Sequence, residues 1–345
     1  MPRLLTIAIA MFLPAVLGAA VVQAGGEALE GTVVAKGATL QVGKSSVAWK
    51  DLRWFHAGER ARAPLAPYAV VTSAGERYPG QILGYDGQQL RFAADPGTEL
   101  ELAADDLAAL LLQPQRAIAT PESLPALVRR DASAVSGNLK RLMRSGVVVS
   151  SQLGDFSVDD GDAVAYLWRE PANGVGSHTL VLHGGARLRA DWTLADGKLS
   201  CTHPRFGALT VPMNAVHSLR RHQGVQWLSA SAQVVRHQGL LAEVPVPRAI
   251  DPTDPAAGLV LHSDSMLTWT LDKGRVAMLV EARRGTVGLV AAIDKRSVAK
   301  LVVPEGERRL WQFDVPGKKR VLIALKGSGV VPAEAALHEP HAVGR

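Results

Sequence analysis

The chain of 345 residues has one cysteine, Cys201, so no intrachain disulfide can form. Aromatic residues make up only 5% of it, and no Asn-x-Ser/Thr acceptor for N-glycosylation occurs. Without disulfides, stability must come from hydrophobic cores, and a chain of this length can bury two or three of them. Past residue 24 no apolar run approaches the ~18 residues of a membrane-spanning helix. There is no Gly-x-Ser-x-Gly elbow, phosphate-cradling Gly-Lys loop, dinucleotide fingerprint or His-Glu-x-x-His helix. Those absences remove the enzyme classes that announce themselves by motif. They leave open a glycosidase, which needs only two carboxylates at the right separation.

What is present begins with an export signal. Arg3 precedes the apolar run Leu4 to Val22, and Val22-Gln23-Ala24 is a small-residue cleavage site, so residues 1–24 read as a signal peptide. An uncleaved anchor is the alternative, and the only expected membrane contact is through this segment. An exported chain without disulfides or glycosylation sites points to a bacterial periplasm, envelope or exterior. The net charge is +6, and removing residues 1–24, with one arginine and no acid, lowers it to +5. The basic residues come as dispersed pairs, among them Arg129-Arg130, Arg220-Arg221, Arg283-Arg284 and Lys318-Lys319-Arg320. Such pairs suit solvated turns rather than a nucleic-acid surface, and they predict weak, salt-sensitive adhesion to anionic envelope polymers.

One sequence unit occurs twice. Val70-Val71-Thr72-Ser73-Ala74-Gly75-Glu76-Arg77 is followed by Asp86-Gly87, Leu90, Leu100, Leu102, Leu107 and Leu110. Leu180-Val181-Leu182-His183-Gly184-Gly185-Ala186-Arg187 is followed by Asp196-Gly197, Leu199, Leu209, Val211, Val216 and Leu219. Gly75 pairs with Gly185 and Arg77 with Arg187. Alternation broken by Gly turns predicts small antiparallel β modules of about five strands, SH3-like or Sm-like. Leu52 and Phe55 echo the ending of both copies, so residues 25–62 are either a shortened third copy or the opening strands of the first barrel.

The expected organisation is mainly β. It places an N-terminal β segment at 25–62, a first barrel-like module at 63–115 and a second at 146–222, joined by a helical connector at 116–145. The connector rests on Pro121 at a helix start, with Leu124, Leu127, Val128, Val135, Leu139, Leu142 and Met143 at three- and four-residue spacing. After a Pro/Asp loop around Asp251-Pro252-Thr253-Asp254-Pro255, regularly spaced strands predict a C-terminal β-sandwich over 223–345.

In that last third, Trp227-Leu228-Ser229, Gly258-Leu259-Val260-Leu261-His262-Ser263, Leu267-Thr268-Trp269-Thr270-Leu271-Asp272 and Gly285-Thr286-Val287-Gly288-Leu289 together resemble the NPCBM carbohydrate-binding module. The resemblance covers roughly residues 225–340 and implies a galactose-binding-like β-sandwich that contacts glycans. Val260 stands where that family has a second Gly, Val290 follows Gly288-Leu289 where it has Asp, and its late Trp is absent from Glu334-Ala335-Ala336-Leu337.

Trp269 and Trp311 are the candidate sugar-stacking faces, with a buried core position as the competing reading. His262 and Asp264 are the candidate ligand-facing polar groups. No metal site is expected. His178/His183 and His217/His222 are five apart and face opposite sides of a strand, Cys201 and His203 are only two ligands, and Asp159-Asp160-Gly161-Asp162 lacks a calcium-loop pattern. No cofactor is implied. The functional expectation is a non-catalytic binding or structural protein with a carbohydrate or envelope polymer as partner; a polysaccharide hydrolase with carboxylates at a module interface stands as the alternative.

Overall fold

The computed structural model describes residues 16–24, 26–58, 66–95, 98–114, 116, 118, 121–143, 145–172, 176–236, 248–251, 253–254, 256–327 and 333–344. Residues 1–15 of the expected export signal and the Pro-Val-Pro stretch 245–247 lie outside them. Among the described residues every regular element is a β-strand or a three-residue 3-10 turn.

The helical connector is therefore corrected. Ala126–Arg129, Ala134–Ser136 and Asn138–Met143 are strands. Leu127 is buried opposite Tyr166 and Leu139 opposite Val149, so cross-strand partners overrule the local three-to-four spacing. The turn residues Asp131-Ala132-Ser133 and Gly137 break the run, and a helix would have left Ala163–Leu167 without one of its two neighbours.

The duplicated unit proves to be four. Units I (16–57), II (68–111), III (126–167) and IV (178–221) each pair their last strand with their first. Every such pair carries a register shift near the same place, and the pairs Val22–Phe55, Val70–Leu110, Leu127–Tyr166 and Leu180–Leu219 are equivalent. All eight side chains are buried in one continuous core, each worth roughly 1.5–3 kcal/mol. Units I, II and IV reach the last strand through the 3-10 turns Trp49–Asp51, Ala104–Asp106 and Met213–Ala215.

The hairpin after the first strand is also shared. In unit II the Thr72 N–H donates to Glu76 O and the Gly75 N–H to Thr72 O; Leu182 and Gly185 repeat this in unit IV, as do Arg129 and Ala132 in unit III. The third turn residue has positive φ in all three, 78° at Gly75, 86° at Gly185 and 67° at Ala132. Unit III had hidden its turn because alanine occupies the glycine position.

The units join by two kinds of strand contact within a 16-stranded sheet. Units II and III meet through their last strands, with Leu110 opposite Tyr166, and units IV and I do the same, with Leu219 opposite Phe55. Units II and IV meet through their second strands at one register position, Arg77 opposite Arg187. Outward from that arginine pair the strand order repeats on both sides, second, first, last, last, first, second, and on the unit I side two further strands follow.

The C-terminal third is a two-sheet sandwich. Gly258–His262, Gly274–Arg284, Arg308–Val315 and Glu334–Gly344 belong to one sheet; Met266–Leu271, Val287–Ile293, Arg296–Val303 and Lys319–Gly327 belong to the other. Residues of both sheets share one core. On Gly274–Arg284, Val276, Met278 and Val280 enter that core, whereas Ala277 and Leu279 pack with Val21, Ala28 and Trp54 of unit I. Both faces of this strand are covered, which accounts for its nearly unbroken apolar run.

Candidate functional site

Trp269 and Trp311, from opposite sheets, both lie in the sandwich core, 3% and 4% exposed. The Trp269 indole N–H donates to Leu228 O at 2.8 Å, and Trp311 packs against Phe313 with ring centroids 5.3 Å apart. Neither presents a ring face to solvent. His262 and Asp264 sit together on the turn between Gly258–His262 and Met266–Leu271. His262 Nδ1 lies 3.7 Å from Glu334 Oε2, and Asp264 is exposed with φ 65°. The turn is held from behind, since the Asp264 N–H donates to Leu325 O and the Ser263 N–H to Ala333 O.

The densest charged constellation lies elsewhere, where the loop at 251–254 reaches units II and IV. Arg77 and Arg187 both approach Asp251 Oδ2, at 3.4 and 3.3 Å. Arg187 also donates from Nε to Gly75 O and from Nη2 to Thr253 O, each at 2.6 Å. Arg220 donates through both Nη atoms to Asp254, at 3.0 and 2.5 Å, and Arg187 Nη1 is 3.2 Å from the same carboxylate. Burial works against the Asp254 charge, yet Arg220 and Arg187 hold its carboxyl well below the usual range. Burial likewise opposes the Arg220 charge, and Asp254 and Glu339 overcome it, keeping the guanidinium above its ordinary value. The sequence reading placed Arg220 on a solvated turn; it is 1% exposed.

Sequence reasoning passed over these residues although one signal was available. An arginine recurring at the same strand position of two repeats has no explanation in solvation alone, because exposed strand positions accept any polar residue.

A second polar group joins units I and IV to the last strand, Glu334–Gly344. Glu339 accepts from the Trp54 indole and the Ser218 hydroxyl, both at 2.6 Å, and Arg220 Nε is 3.4 Å from it. The His341 ring bridges Glu339 O through Nδ1, at 2.7 Å, and the Gln23 side-chain amide through Nε2. His338 Nε2 is 3.0 Å from Glu281, which also faces Arg283 and Arg308.

The equivalent strand positions differ between the two joints. The face that carries Val71, Ala109, Leu111, Val128, Ala165 and Leu167 at the II–III joint carries Gln23, Trp54, His56, Val181, Ser218 and Arg220 at the IV–I joint. The first is an apolar cluster; the second is polar because the sandwich docks there.

A third group joins units II and IV. Glu76 accepts from the Tyr78 hydroxyl at 2.5 Å and contacts His203 Nε2 at 2.7 Å, while the Arg189 N–H donates to it at 3.0 Å. Burial alone would raise the Glu76 carboxyl; the hydrogen bonds from His203 and Tyr78 bring it below its ordinary value. Cys201 is pushed up to about 11 by burial and then by Glu76 and Asp191, the reverse of an activated thiol. Among the described residues no three His, Cys, Asp or Glu side chains form a metal-holding group, and no helix is long and apolar enough to cross a membrane.

No protein family and no curated protein matches the sequence. Among solved structures, the chain is similar to the CBM51 module of a Clostridium perfringens GH95 protein in complex with methyl-galactose (11% identity, TM-score 0.23, covering 25% of this chain and 69% of that one). It is also similar to the carbohydrate-binding module CBM36 in complex with calcium and xylotriose (10%, TM-score 0.25, 33% and 93%). A third is the secreted serine protease VesC from Vibrio cholerae (9%, TM-score 0.24, 96% and 98%). At these scores the likeness extends no further than β-strand content.

Proposed function

We propose that the protein is an exported, non-catalytic binding or structural protein, with SH3-like units as its body and the C-terminal sandwich as its ligand-facing part. One observation carries the non-catalytic reading. The converging ionisable groups, around Asp254, Glu339 and Glu76, are buried and paired with one another where the parts of the chain meet. Groups so engaged hold a fixed arrangement; a catalytic acid needs a free proton and room for substrate.

Carbohydrate or envelope polymer is the ligand class we favour, on the strength of the residue pattern across 258–272. With Trp269 and Trp311 in the core, the His262–Asp264 turn is, with Thr270 and Asp272, what that pattern leaves facing solvent. A glycan array followed by calorimetric titration of the full chain tests this. Binding lost in Asp264→Asn with an unchanged melting temperature supports the turn as the contact. Silence against every glycan would leave the structural role alone.

A further inference from the structure

Five histidines gather where units I and IV meet the sandwich. His56 lies on Leu52–Ala57, His217 on Val216–Arg221 and His183 on the hairpin turn of unit IV; His338 and His341 lie on Glu334–Gly344. Ring centroids are 4.6 Å apart for His56–His217, 5.5 Å for His183–His217 and 6.4 Å for His56–His338. We propose that this array is an acid-sensitive latch, whose protonation separates the C-terminal sandwich from units I and IV while each part keeps its own strands.

The placement supplies the reason. Three of the rings belong to the units and two to the sandwich, so charges gained on acidification repel across the interface. The fixed charges around them offer little relief. His56 faces Arg308 and Arg220 as well as His338, and His217 faces His56, His183 and Arg308, with Glu339 the one carboxylate acting on it. The carboxylates within reach are already engaged, Glu281 by Arg283, Arg308 and His338, and Glu339 by Arg220, Ser218 and Trp54. His217 Nδ1 is buried with no hydrogen-bond partner, so a proton added there meets no acceptor. At the II–III joint the positions equivalent to His56 are Leu111 and Leu167, so that joint carries no matching ring; in unit IV, His178 and His222 are also lowered to about 4, chiefly by burial.

The direction follows from proton linkage. Burial, then His338 and Arg308, lowers His56 to about 3; burial and then His56 lower His217 to about 3; burial lowers His341 to about 4. Once apart, these rings return toward 6.5. Below pH 6.5 the separated form therefore holds more protons, and the closed form loses its advantage steadily as the pH falls towards 3–4. Asp254, held far lower by Arg220 and Arg187, stays ionised through this window, so the separation begins at the histidine side.

The test uses the full chain, with small-angle scattering for the radius of gyration and far-UV circular dichroism for strand content, from pH 7 to pH 4. The expected result is an expansion at constant strand signal, with the opening constant rising at least about a hundredfold per pH unit, as uptake of two or more protons requires. His56→Phe with His217→Phe should move the midpoint down by about one pH unit or more. If that variant misfolds, proton uptake measured across the wild-type transition serves instead, and two or more protons are expected. A radius unchanged down to pH 4, strand signal lost together with compactness, uptake below one proton, or an unmoved midpoint in the folded variant would overturn the proposal.

Discussion

Arg77 and Arg187 stand opposite each other across the one register position that joins units II and IV, and both guanidinium groups reach the same oxygen, Asp251 Oδ2. Two like charges from equivalent repeat positions would repel at a strand joint. The loop at 251–254 resolves this by placing its carboxylates against the arginines, so the joint between repeats depends on a segment from outside them.

Asp254→Ala should therefore be among the most damaging single changes, because it leaves Arg220 and Arg187 buried beside too little negative charge. A loss of about 3–5 kcal/mol in urea unfolding is expected. Arg220→Met combined with Asp254→Leu should cost less than the two single changes added together. A loss for Asp254→Ala below about 1 kcal/mol would refute the assignment of Asp254 as the centre of the joint.

The shared hairpin gives a prediction with opposite signs at equivalent positions. Gly75→Ala forces a side chain into a left-handed backbone, where its Cβ would lie 3.3 Å from Ala172 O and the Arg189 guanidinium, and should cost about 1–2 kcal/mol. Ala132→Gly relieves the same conformation in unit III and should be neutral or stabilising by up to about 1 kcal/mol. Thermal melting of the two variants side by side decides it.

Trp269→Ala and Trp311→Ala should each lose about 3–5 kcal/mol, as removal of a large buried side chain does. Asp264→Asn, at an exposed turn, should change stability by no more than about 0.5 kcal/mol. Melting curves recorded beside any binding assay separate lost ligand contact from lost folding.

Val16–Ala24 is a strand bonded on both sides, to Glu27–Lys36 and to Leu52–Ala57, with Val21, Val22 and Gln23 buried. A chain begun at residue 25 loses that strand and uncovers Leu52 and Phe55. It should unfold at lower denaturant than a chain begun at residue 16, with a broader transition and stronger binding of a hydrophobic dye. Equal stability of the two chains would show the strand to be dispensable and would favour cleavage after Ala24.

Much of the architecture was legible because β units announce themselves by period. Alternation and Gly turns revealed units II and IV, and the echo of Leu52 and Phe55 pointed to unit I. Unit III escaped since its turn uses Ala132 in place of glycine and its strands carry apolar residues at spacings a helix also permits. The candidate sites were less legible. Trp269 and Trp311 have the same local alternation whether their outward neighbour is water or a second sheet. Arg220 has the sequence context of an exposed basic pair and is buried only because a loop about 30 residues later supplies Asp254.

The sequence by itself determined the β class, the repeat, its hairpins and a C-terminal sandwich, since each depends on residues near one another along the chain. The tertiary structure decided which strands join, which arginines are enclosed and where the histidines gather. Those outcomes depend on partners up to 318 residues apart, as with Gln23 and His341, and on a desolvation that no local pattern records.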